Sequence, residues 1–258
     1  MAPTPVEDDP SLGEVIESAT TRFLAECPHT RLQDPPSLGS FVKIASRLRR
    51  TGDTAFSTQD LKDIRRSEPA ETEIPEFDDP FLDPPPMIPR SSSVPFPEGT
   101  LYGLVCDAVT GSIEPGRRAA AYGMDEDELR AEQPQIFDLL ATRFSALHVA
   151  YVEGGRVRIG VPPAPPRIHA RVVACTPEEV CAITNSPDLL RIILSQGQGP
   201  LGDELIVATL RQAYLCQNRD FRFLVRMGKQ TASLMRDDPE RVSALLRKLE
   251  PSLLESQA

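Results

Sequence analysis

Between residues 47 and 98 the chain carries a stretch that constrains everything on either side of it. It opens on basic residues (Arg47, Arg49, Arg50, Lys62, Arg65 and Arg66). It then turns into the acidic, proline-rich run ETEIPEFDDPFLDPPPMIP and closes on the serines of RSSSVPFP. Proline locks φ, removes a backbone donor and blocks helix continuation. With few apolar side chains to offset the entropy of ordering, such a segment builds no core of its own. The segments flanking it, LGSFVKIA before and LYGLVCDA (Leu101–Ala108) after, both read as strands. The pattern predicts a disordered insertion between two strands of one domain, with at most a short helix over TQDLKDIRR at 58–66.

Composition fits a structured protein carrying such a stretch: 26 prolines in 258 residues is about twice the usual share. The net charge of −10 disfavours bulk attraction to nucleic acid or an anionic membrane, while leaving room for a local basic patch. The opening MAPTPVEDDPSLGEV lacks a basic start and an apolar core, so no secretory signal is expected. No apolar run approaches the ~18 residues that span a bilayer. The five cysteines, Cys27, Cys106, Cys175, Cys181 and Cys216, are odd in number and scattered without a CxxC pair. That usage predicts reduced thiols in a cytoplasmic protein. Cys175 and Cys181 lack the further Cys or His pair of a closed zinc site, so neither a metal nor a cofactor is expected.

Residues 1–12 read as a disordered N-terminus, 13–175 as a strand-rich region interrupted by the insertion, and 176–258 as helical. GEVIESATTRFLAE from Gly13 has the Val, Ile, Thr and Phe content of a pleated surface. Gly123 precedes MDEDELRAEQ, a short helix whose acids lie in its first turn, where the dipole favours them. Pro134 interrupts that helix, and QIFDLLATRF is expected to resume it. Leu147–Val161 reads as a hairpin about Gly154-Gly155, two glycines that supply the positive φ of a tight turn.

In PPAPPRIHARVVAC (162–175) the prolines hold the chain extended. Ile168, Ala170, Val172 and Ala174 then alternate with His169, Arg171 and Val173, so a strand is expected from Ile168 onward. His169 falls on the Arg171 face with no acid or thiol in local reach. It reads as a surface or satisfied histidine, because a general base needs an orienting partner.

Thr176-Pro177-Glu178-Glu179 spells a capping box with proline at N1, and Ser186-Pro187-Asp188 starts a second helix similarly. Asp238-Pro239 caps the last helix. Ile206, Val207, Leu210, Ala213 and Tyr214 form one apolar stripe. Phe221, Leu224, Val225, Gly228, Ala232 and Met235 form a second, and Val242, Leu245, Leu246 and Leu249 a third. Helices this short do not stand alone, so all three stripes are expected to pack on each other or on the strands.

Motifs for chemistry are sparse. Gly228-Lys229 with Thr231 lacks the first glycine of a phosphate loop, has Gln230 after the lysine, and lies in an amphipathic helix. Asp237-Asp238 reads as a helix cap and Asp78-Asp79 lies in the insertion, so neither pair is read as a metal site. There is no Gly-x-Ser-x-Gly elbow, and Cys106 and Cys181 sit in apolar contexts as small core residues. One feature stands out. Arg219, Arg222, Arg226 and Lys229 recur at helical spacing as a basic stripe. The chain from Arg167 onward is close to neutral, with twelve Lys/Arg against eleven Asp/Glu. The stripe reads either as a solvated face or as a surface for a phosphate backbone or an acidic partner.

The segments GEVIESATTRFLAE, LGSFVKI and LYGLVCDAVTG, with Gly13, Gly39 and Gly103 heading their motifs, resemble the HAS-barrel. That is the small β-barrel of HerA-type DNA translocases and of ATP synthase catalytic subunits. The PP-x-PP-x-Ile-His strand and helical tail look like uncharacterised cyanobacterial HAS-barrel proteins. HerA-type proteins continue into a RecA-like motor with a Walker A loop, and this chain does not. The resemblance therefore implies an α+β protein: a small N-terminal barrel over 13–175, interrupted by the insertion, then a mixed segment with a hairpin, and a helical bundle.

Its implied role is docking without catalysis, with a HerA-like ATPase or NurA-like nuclease as partner in DNA processing or repair. The insertion would then be a mobile arm open to phosphorylation around Ser91–Ser93. Weak single-stranded nucleic-acid binding through the basic stripe is the alternative, although stacking aromatics are scarce. The matching positions carry over no catalytic residue.

Overall fold

The computed structural model describes residues 11–45, 96–114, 116, 120, 122–196 and 200–249. The expected helix at 58–66, the Ser91–Ser93 cluster and the rest of 46–95 lie outside the described residues. Among these residues seven strands occur in chain order: β1 (Ser11–Ser18), β2 (Arg22–Glu26), β3 (Phe41–Ala45), β4 (Thr100–Ser112), β5 (Leu140–Glu153), β6 (Arg156–Ile159) and β7 (Arg171–Ala174). They are ordered β2-β1-β7-β3-β4-β5, and β5 pairs back onto β2, closing a six-stranded antiparallel barrel; β6 pairs with the end of β5, Ala150–Glu153, beyond the stretch that meets β2. Among the described residues six helices follow or interleave: α1 (Glu126–Glu132), α2 (Pro177–Thr184), α3 (Asp188–Gln196), α4 (Pro200–Cys216), α5 (Phe221–Leu234) and α6 (Pro239–Leu249). The fold is α+β. Ala45 pairs with Thr100, so 46–95 is inserted between two paired strands of one barrel.

Alternation along the strands fills the interior. Val42 and Ile44 of β3, Leu101 and Val105 of β4, and Phe144 and Ala146 of β5 point inward with Val15, Phe23 and Val172. A six-stranded barrel leaves little room. A Cβ on Gly103 would lie 2.8 Å from the Phe23 ring, so glycine there makes space for the phenylalanine. The opposite faces of β3 and β4 bear Phe41, Tyr102 and Leu104, which join Ile183, Leu190, Ile193, Ile206 and Leu210 in a second core between barrel and helices. α4 is the hub of the helical part and contacts α2, α3, α5 and α6. Gly39, with φ +78°, brings the loop before β3 against α4; a Cβ there would stand 2.7 Å from the Ala208 carbonyl carbon.

The pleated stretch GEVIESATTRFLAE forms as expected, as two strands that turn where the Ala19 N–H donates to the Arg22 carbonyl at 3.0 Å. Two local expectations are corrected. The helix expected over QIFDLLATRF is a 3-10 helix at Pro134–Leu139, and Leu140 already begins β5. Ladders on both sides of β5, with Phe144 opposite Ala25 and Ala108, outweigh its local helix preference. IHARVVAC enters its strand only at Arg171. Ile168 is half-exposed and His169 adopts φ +63° in a turn closed by the Ala170 N–H on the Arg167 carbonyl at 3.1 Å.

The hairpin and caps form as expected. Gly154 and Gly155 take φ +60° and +69°, and their N–H groups donate to the two Glu98 carboxylate oxygens at 3.2 and 3.0 Å. The capping box of α2 is complete, with the Thr176 hydroxyl accepting from the Glu179 N–H and Glu179 accepting from the Thr176 N–H. The Glu179 carboxylate also reaches the barrel. Lys43 Nζ donates to both oxygens at 2.9 and 2.8 Å, and the Tyr102 hydroxyl donates to Oε1 at 3.2 Å. Burial pushes the Tyr102 hydroxyl pKa up, with Glu179 adding to the effect, so it stays protonated and donating.

Two substitutions test these joints. Glu179→Ala removes the cap and leaves Lys43 without its carboxylate, and should cost about 2–3 kcal/mol. Gly39→Ala forces a side chain into a left-handed position against α4 and should cost about 2–4 kcal/mol. Urea unfolding read by far-UV circular dichroism should show lower midpoints with unchanged slopes.

Candidate functional site

Helix α5 begins at its cap Asp220, whose carboxylate accepts from the Arg222 N–H at 2.9 Å. It turns Phe223, Leu224, Met227 and Thr231 into the core. Of the stripe Phe221, Leu224, Val225, Gly228, Ala232 and Met235, Leu224 and Met235 pack as expected, while the line Phe221, Val225, Gly228 and Ala232 departs from the pattern. It runs along the wall of an open groove of about 620 Å³ whose other wall is α6, through Leu246 and Leu249. Phe221 is 58% exposed, Val225 41% and Leu246 43%. Gly228 lies in the groove, where a Cβ would meet Leu246 Cδ2 at 3.3 Å, so the missing side chain widens it. Phe221 to Ala232 covers roughly 16 Å at 1.5 Å per residue.

The basic stripe flanks this groove, but its four members do different things. Arg219 stands in the turn before α5 with φ +58°, its N–H donating to the Tyr214 carbonyl at 3.0 Å. Arg226 is committed to the body of the protein: Nη2 donates to Asn185 Oδ1 at 3.0 Å, and the guanidinium lies 5.6 Å from the centre of the Phe223 ring. Arg222 and Lys229 carry no carboxylate partner among the described residues. Across the groove Arg247, whose Nε donates to the Ser243 carbonyl at 3.3 Å, adds a third cation. On the α4 side of α6 the cations are paired: Arg241 with Asp203 at 2.6 Å, and Lys248 with Glu204. The groove thus has apolar walls and a basic lip.

Other chemistry-bearing residues have structural surroundings. His169 lines a cleft of about 380 Å³ with Glu14, Glu26, Cys27 and His29. Its Nδ1 is 3.6 Å from Glu14 Oε2, a partner that β1 supplies and local spacing hid. Both side chains are exposed, as are His29 and Asp138, which approach to 3.7 Å. Among the described residues no group of three or more His, Cys, Asp or Glu is placed to hold a metal ion. Burial raises every thiol pKa, that of Cys27 to about 11 and those of Cys106, Cys175, Cys181 and Cys216 as well, which keeps them neutral and weakly nucleophilic. Gly228-Lys229 lies within α5, and Asp238 caps α6 through the Arg241 N–H at 3.0 Å. Asp78-Asp79 is outside the described residues.

The residue that sequence reasoning missed is His148. It is fully buried in β5, its ring 5.4 Å from that of Phe23, and neither ring nitrogen has a hydrogen-bond partner among the described residues. Burial pushes its pKa down to about 4; the Ala19 carbonyl, outside hydrogen-bond geometry, opposes this only weakly. Nothing in LHVAYV distinguishes it from an outward-facing strand histidine.

No model of a known family matches the chain, and comparison with curated proteins finds no match. Among the described residues no helix is long and apolar enough to cross a membrane.

The buried imidazole predicts a pH dependence. The unfolded chain takes up the proton near pH 6.5 and the folded one only near 4. The contribution from neutral His148 is therefore complete above about pH 6.5 and is lost as pH falls toward 4, by about 3 kcal/mol. His148→Leu should flatten that part of the stability curve, checked by urea unfolding of both proteins at stepped pH.

Proposed function

We propose that this protein is a non-catalytic docking protein whose α5/α6 face binds a HerA-like ATPase or NurA-like nuclease in DNA processing or repair. One observation carries the reading. A stripe of helix that normally closes a core is left open beside cations without acids, on a platform locked to the barrel. The class of partner comes from the HAS-barrel resemblance of the segments that build β1 to β4, since barrels of that family are the part that engages a nuclease. The neutral thiols, the capping role of Asp238 and the Glu179 anchor support a non-catalytic role, because each gives a reactive side chain a structural task.

Single-stranded nucleic-acid binding by Arg219, Arg222, Arg226 and Lys229 is the competing reading. Stacking platforms need several exposed rings. On this face Phe221 is the exposed one among the described residues, and Arg226 is already engaged by Asn185.

The test is a pull-down of the full chain, tagged and expressed in its own host, at moderate salt after nuclease treatment. The wild type should retain an ATPase or nuclease, and Val225→Glu, a change at an exposed position, should reduce its recovery at least tenfold. A complex indifferent to Val225→Glu, or one that disappears with the nucleic acid, would sink the docking reading. The second outcome would transfer the basic lip to nucleic-acid binding.

A further inference from the structure

Resting on the docking reading above, we infer that the α5/α6 groove receives an acidic amphipathic helix of the partner. That helix is seated by apolar anchors at i, i+4 and i+7, with its carboxylates against Arg222, Lys229 and Arg247. The shape selects a helix. The groove is open, runs along two helices for about three turns, and has a volume of about 620 Å³, room for a row of large side chains. Its walls offer apolar carbon, and its polar groups are the flanking cations alone. A small polar ligand would instead meet convergent hydrogen-bonding groups on the floor.

Charge selects the acid. Arg222 and Lys229 lie one residue round the helix from Phe221 and Gly228, so they form a single edge beside the apolar line. Neither has a carboxylate partner among the described residues, whereas Arg241 and Lys248, on the other side of α6, have Asp203 and Glu204. An apolar helix with neutral flanks would leave these cations partly desolvated and unpaired; one with Asp or Glu on a single flank would pair them in a low-dielectric seam. The same charges argue against a second copy of this chain, since an isologous contact sets the basic lip against its own twin. An anionic membrane shares the chemistry of a basic, apolar surface, but the apolar side chains here line a concavity between two helices. Membrane-lying helices present theirs on a protruding face.

The test pans a phage-displayed library of random peptides, about 16 residues long and so about four helical turns, against the immobilised full chain. V225E and the double variant R222E/K229E serve as counter-baits, each first checked for native circular dichroism and melting temperature. The enriched peptides should carry large apolar residues at i, i+4 and i+7 with an excess of Asp and Glu. A resynthesised peptide should bind the wild type at least tenfold more tightly than V225E. R222E/K229E should prefer the same peptide with lysine in place of its acids.

No enrichment, enrichment of basic or neutral peptides, or binding indifferent to V225E would overturn the inference. So would V225E-sensitive sedimentation with phosphatidylserine vesicles in place of peptide binding. The two readings fail separately. A host complex that is lost in V225E while the enriched peptides are basic or neutral leaves docking standing and removes the acidic helix. A host complex indifferent to V225E removes the docking face itself.

Discussion

Glu179 sits where three requirements meet, and the relation of barrel to helices follows from how they are met. It is the third helical residue of α2 and completes the capping box with Thr176. Its carboxylate is buried, and burying a charge costs several kcal/mol unless its lone pairs are satisfied. Lys43 and Tyr102, which satisfy them, are direct cross-strand partners on the outer face of β3 and β4. The start of α2 is thereby pinned over one rung of the barrel. Phe41 and Leu104 continue that face beneath the helices, α4 packs on α2, and α5 and α6 pack on α4. The position of the groove relative to the barrel descends from this one carboxylate by successive contacts.

What the sequence made legible was what depends on neighbours in the chain. The capping box, the cap at Asp238 and the Gly154-Gly155 turn are each defined within a few residues, and each formed as expected. The errors fell where distant strands decide. Leu140–Phe144 has no local reason to be extended, and becomes so because β2 and β4 flank it. His169 leaves the strand expected for it because β1 takes its N–H through the Val15 carbonyl at 2.8 Å. Alternation alone could not reveal that turn.

The candidate site was half legible for a similar reason. The apolar stripe and basic stripe of α5 were both visible from spacing. Which apolar face would be covered was not, because α5 has two. Phe223 and Met227 lie on one and Phe221, Val225 and Gly228 on the other, and only the arrival of α4 decides between them. His148 escaped altogether. A histidine inside a barrel and one outside it occupy the same place in an alternating pattern, and the bulges at Cys106 in β4 and at Val149 in β5, beside His148 itself, shift that alternation once more.

β7 has four residues, yet it lies between β1 and β3, and the wall is open until it arrives. On the ribosome, β1 to β5 emerge first and can form only an unclosed sheet, with Glu14 waiting for Arg171 and Val42 for Ala174. The strand that ends this exposure is followed two residues later by the helix whose carboxylate bolts the outer face. Barrel closure and the anchoring of α2 are therefore encoded by adjacent stretches of chain, while the hub helix α4 emerges later. A nascent chain halted before β7 would display a sticky strand edge that the finished protein conceals.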